Sequence, residues 1–205
     1  MQVIAESTFR PWLAEAGIRP HARFQSSDVL VFEQGEDLSR FWFPSFVPSD
    51  LPGFVLTALE AASADGPHYL MRRGGGSWYE PDPETAPGSN VIIDALLRAA
   101  GVPQDAAGAL RFEKTDWKAL NIVVLAHYVH GWSVGEDLHM FGEERDCAIM
   151  TSHHGELRVA FPDRARLERF REHMLRAGYD LPAQVPDVTF KSPAWLTGRT
   201  RHGIA

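Results

Sequence analysis

Between Asp137 and Pro182 the order of apolar and polar residues leaves a chain little freedom: three period-two segments are followed by one of helical period. Leu138 and Met140 share a face, Cys147–Ser152 makes the next segment, and Leu157, Val159 and Phe161 alternate with Glu156, Arg158 and Ala160. Successive side chains on a strand point to opposite faces, so the last of these segments turns one side to a core and one to water. Asp163 then caps a helix that carries Leu167, Phe170, Met174 and Ala177 inward and stops at Gly178. Connections this short join antiparallel neighbours. The stretch predicts a β-β-β-α unit, and with it an α+β fold in which small antiparallel sheets pack against helices.

Upstream, the pattern predicts a short helix over Phe9–Ala16 and an early hairpin whose strands, Asp28–Glu33 and Leu38–Pro44, meet at Gly35. A helix begins after Asp50, with Pro52 in its first turn and Leu51, Val55, Leu59 and Ala62 as its core stripe, and His68–Arg73 reads as a strand. Ser89 caps another helix, with Val91, Ala95 and Leu96 on one side, that stops at Gly101 and Pro103. From Thr115 to His130 apolar residues fall on nearly every side, as in a helix covered on both faces, with Trp117, Leu120, Val124 and Tyr128 as one of its stripes. The β-branched run Ile122-Val123-Val124 is the one argument for a strand there. These segments divide the chain into an N-terminal α+β lobe (1–80), a Pro-rich linker or loop (81–88), a C-terminal α+β lobe (89–182) and an irregular tail (183–205), joined as one compact domain.

Composition narrows the function classes. Cys147 is alone, so neither a disulfide framework nor a cysteine zinc cluster is available within one chain. No run approaches the roughly 18 apolar residues that a membrane span requires, and the first residues lack a basic-then-apolar leader, so the expectation is a cytoplasmic protein without a membrane partner. The net charge of −7 is uneven: residues 1–110 hold 14 acids and 7 bases, residues 111–205 hold 13 of each. A negative field repels phosphate and draws in basic proteins, which argues against nucleic acid and for a basic protein partner. The acids concentrate at Asp28, Glu33, Glu36 and Asp37, and again at Glu80, Asp82 and Glu84 beside Trp78 and Tyr79. Aromatic rings next to carboxylates have the composition of an interface hot spot, which makes these two segments the expected partner-binding sites.

Chemistry has two other openings. Six of the nine histidines lie between His127 and His173. His127 and His130 sit three apart on a helix, so with Asp137 and either His153 or His154 they make an alternative metal set. Against it, no HExxH motif is present, and in extended chain His153 and His154 point to opposite sides. Gly131-Trp132-Ser133-Val134-Gly135 matches the nucleophile-elbow pattern, which makes Ser133, with His153 or His154, the alternative catalytic set. That elbow needs a strand before the serine and a helix after it, whereas Gly135 and a short strand follow here. The His153-His154 turn stands as a further partner-binding candidate, and no cofactor is implied. Gly74-Gly75-Gly76 lacks the Gly-Lys-Ser/Thr ending of a phosphate loop.

The runs Trp132-Ser-Val-Gly-Glu-Asp137-Leu-His-Met-Phe, Thr151-Ser-His-His-Gly and Phe161-Pro-Asp-Arg, with a helix ending in Gly178-Tyr-Asp-Leu-Pro182, resemble the C-terminal part of small bacterial immunity proteins of secreted-toxin systems. The resemblance covers about 50 residues. It implies a non-enzymatic protein that blocks a toxin, often by setting an acidic surface against a basic active-site cleft. The rival from another class is a hydrolase, metal-dependent on the histidines or serine-type at Ser133.

Overall fold

The computed structural model describes residues 1–20, 30–33, 39–42, 51–63, 66–72, 76–79, 89–130, 137–152 and 156–181. In chain order the elements are β1 (Gln2–Ile4), α1 (Glu6–Glu15), β2 (Ile18–Pro20), β3 (Leu30–Phe32), β4 (Ser39–Trp42), α2 (Leu51–Ala62), β5 (His68–Arg72), α3 (Ser89–Ala99), β6 (Ala109–Phe112), α4 (Trp117–His130), β7 (Leu138–Gly142), β8 (Ala148–Ser152), β9 (Glu156–Ala160) and α5 (Arg164–Arg176). Seven strands form one sheet in the order β1-β6-β5-β7-β8-β9-β4, with every adjacent pair antiparallel, and β2 pairs with β3 in a second, two-stranded sheet. The fold is α+β.

The C-terminal unit follows the predicted pattern. β7, β8 and β9 are sequential antiparallel neighbours, and α5 starts from an Asp163 cap whose carboxylate accepts the Arg166 N–H at 2.8 Å. Phe170 and Met174 are buried and Leu167 packs at the margin of the core, while Ala177, placed inward by its spacing, is exposed. It is already the C-cap, where the helical period no longer fixes direction.

Alternation within the sheet separates two cores. Leu70 lies opposite Leu110 and Met140, and this row packs with Leu138, Ile149 and Val159 against Phe54, Leu59, Leu97, Val124 and Phe170 of α2 to α5. The residues between them in the strands, Tyr69, Met71, Ala109 and Phe141, face the other way, onto Phe9 and Leu13 of α1 and Ile18, Leu30 and Phe32 of the β2–β3 pair. The main sheet is therefore covered on both faces, and Ala160, expected on the solvent side of the last strand, is buried in the second core.

Two further expectations change. The early hairpin does not form: β3 pairs with β2 and β4 pairs with β9, so the two strands meant to be partners lie in different sheets. Leu30 and Phe32 gain more burial over the far face of the main sheet than a two-stranded ribbon could give them. Trp117, expected on a buried stripe of α4, is 57 % exposed: the first turn of the helix lies at the surface, and its first buried residue is Leu120. Segment 115–130 is helical, with a short 3₁₀ turn at Lys114–Asp116 leading into it. Strands from 1–80 and from 89–182 also interleave: β5 sits between β6 and β7.

Candidate functional site

Antiparallel register brings several predicted residues to one end of the sheet. β5 finishes there with Arg72 opposite Leu138, the first residue of β7; β8 finishes there at Ser152, and β9 begins there at Glu156, its partner. α4 delivers His127 to the same end, since its ring meets Trp78 edge-on at 5.3 Å between centroids and 86° between planes. Arg72, Trp78, His127, Asp137 and Thr151 are all buried. A buried group that can ionise needs compensation, and none of Arg72, His127 or Asp137 is without a partner.

Each side chain has an identifiable tether. The Arg72 Nη1 donates to the Ser77 carbonyl at 2.5 Å, which folds residues 76–79 back over the strand end. The Leu138 N–H donates to Thr151 Oγ1 at 3.0 Å, and that hydroxyl in turn donates to the Leu138 carbonyl at 3.4 Å. The His127 Nδ1 lies 2.9 Å from the Val123 carbonyl one helical turn back; a carbonyl only accepts, so Nδ1 carries the proton and Nε2 the lone pair. Burial pulls the pKa of His127 down to about 3, the Val123 carbonyl opposes this, and the positive charge of Arg72 adds to the fall. The imidazole is neutral at physiological pH. A weakly basic ring of this kind is a poor proton acceptor near neutrality, where a general base works best with a pKa close to the ambient pH.

As a metal ligand His127 would offer Nε2, with the backbone carbonyl holding the ring as such sites require. The Arg72 charge opposes a cation in the same space, and among the described residues no three His, Cys, Asp or Glu side chains gather to hold an ion. Of the alternative set, the structure brings His127 and Asp137 to the same end; the His130 side chain, His153 and His154 lie outside the described residues, as does Ser133. Cys147 is buried and burial pushes its thiol up to about 12, which removes it as a nucleophile or ligand near neutral pH.

The aromatic pair proposed for partner binding has another role. Trp78 is 1 % exposed, its indole N–H donates to the Gly108 carbonyl at 3.1 Å, and its own N–H reaches the Ala106 carbonyl at 2.9 Å. Its large ring gains more from burial than from solvent, and both of its N–H groups are satisfied by backbone carbonyls there. Tyr79 is half-buried; its hydroxyl donates to the Val102 carbonyl at 2.7 Å, and the Arg98 guanidinium lies over its ring at 5.8 Å. The expectation that Trp78 offers its ring to a partner is therefore corrected: it is a core residue that closes the sheet end above His127. Of the acidic residues, Glu33 is exposed at the end of β3 and lies 3.8 Å from Arg19 across the β2–β3 pair. Asp28, Glu36, Asp37, Glu80, Asp82 and Glu84 lie outside the described residues.

Sequence reasoning missed Arg72 and Thr151 as members of this end. The available signal was a basic residue closing the apolar strand His68–Arg72, and a threonine at a strand position whose neighbours are core. Among the described residues no helix is long and apolar enough to cross a membrane. Compared with known protein families, curated proteins and solved structures, the chain matches none.

Proposed function

We propose that this chain is a non-enzymatic binding protein, an immunity or inhibitor module acting in the cytoplasm, whose acidic surface neutralises a basic protein partner of toxin type. The observation that carries the reading is the state of His127. His127, which heads the alternative metal set, is sealed beneath Trp78, hydrogen-bonded to its own helix and neutral down to about pH 3. A reaction centre would tune that ring toward neutrality and open it to substrate. Charge supplies the sign of the partner, because the whole excess of acid falls in residues 1–110, where it accelerates encounter with a basic surface. The Arg19–Glu33 pair is exposed on both sides and worth little to stability, so it can be re-sorted by an incoming cation at small cost.

The test couples growth rescue with binding. If a toxin gene adjoins its own, co-expression with that toxin should restore growth, and the purified pair should form a complex whose association rate falls steeply with salt. The triple charge reversal Glu33→Lys, Glu36→Lys and Asp37→Lys should slow association at least tenfold at low salt and abolish rescue while the fold persists by circular dichroism. Indifference of both readouts to the reversal sinks the acidic-surface reading. A stoichiometric transition metal in the purified protein overturns it in favour of the hydrolase.

A further inference from the structure

We draw no further inference here: the strongest candidate, the exposed apolar patch of Val91 and Ile92 in the first turn of α3 and Trp117 at the start of α4, carries nothing because nothing in the structure shows what covers it.

Discussion

Gly142 shows how tightly one residue can be specified. It ends β7 beneath Ser63, which follows the last turn of α2, and a Cβ on Gly142 would lie 2.3 Å from the Ser63 Cβ and 2.7 Å from its hydroxyl. Real atoms do not approach so closely, so a methyl here must displace α2 from the sheet. Gly142→Ala should cost about 1–3 kcal/mol in urea denaturation, within the usual range for overpacking. Ser63→Gly removes both contacting atoms, so the double variant should be less destabilised than the sum of the singles; simple additivity would show that this contact is not the cause. His127 allows a second test. The unfolded chain protonates it below about pH 6.5 while the folded protein keeps it neutral to about pH 3. It adds no pH dependence above 6.5, and below that stability falls by about 1.4 kcal/mol per pH unit as the unfolded state takes up the proton. The His68 pKa is also lowered by burial, with Glu60 opposing, so it acts in the same direction. His127→Phe should reduce the slope between pH 4 and 6 by about one proton; an unchanged slope would mean that the ring is not sealed. Trp78 also marks a limit at this scale. Its neighbours in sequence are glycines and acids, which mimic an interface loop, and the Ala106 and Gly108 carbonyls that accept its hydrogen bonds lie some 30 residues downstream.

Elements were legible in proportion to their length. Among the described residues the five helices each offered at least two turns of period, β7 and β9 offered alternation, and β5 and β8 offered short apolar segments between turn residues. β1, β2 and β6 have three, three and four residues, too few to establish a period, and they exist because partners from elsewhere in the chain complete their hydrogen bonds. The false hairpin has a similar origin: sequence proximity favours β3 with β4, and only the burial available across the sheet favours β2 and β9 instead. α1 is held by a device that no periodicity could reveal. Arg145, in the turn between β7 and β8, places its guanidinium 4.9 Å over the Trp12 ring and donates to the Trp12 carbonyl at 2.8 Å and to Glu15 at 3.3 Å. To reach them its backbone adopts φ 53°, a region that non-glycine residues enter at a cost of roughly 1–2 kcal/mol. Arg145→Ala loses the contacts and keeps the strain, whereas Arg145→Gly loses the contacts and relieves it. The glycine variant should therefore be the more stable of the two by about 1 kcal/mol in thermal or chemical unfolding; the reverse order would show that the left-handed turn costs nothing here.

At the scale of the whole molecule, the order of strands decides how the halves depend on each other. β6 and β7 both belong to the second half, yet they are not neighbours, because β5 from the first half lies between them and pairs with both. β4, also from the first half, closes the other edge against β9. Without β5, residues 89–181 would present two open strand edges over Leu110 and Met140, and the helices α3 and α4 would cover a split core. The first half is no better placed, since β1, β4 and β5 share no hydrogen bond with one another. A chain cut within 81–88 should therefore give fragments 1–80 and 89–205 that are each unfolded or aggregated alone, and that recover near-native circular dichroism and a single cooperative transition when mixed. The sequence pattern around Pro81, Pro83 and Pro87 marks a natural place for that cut, but a proline-rich break in one chain does not separate the cores on its two sides. Independent folding of 89–205, with dispersed amide resonances in the absence of 1–80, would refute the interleaved sheet directly, because β6 and β7 could then be satisfied only by pairing that this strand order forbids.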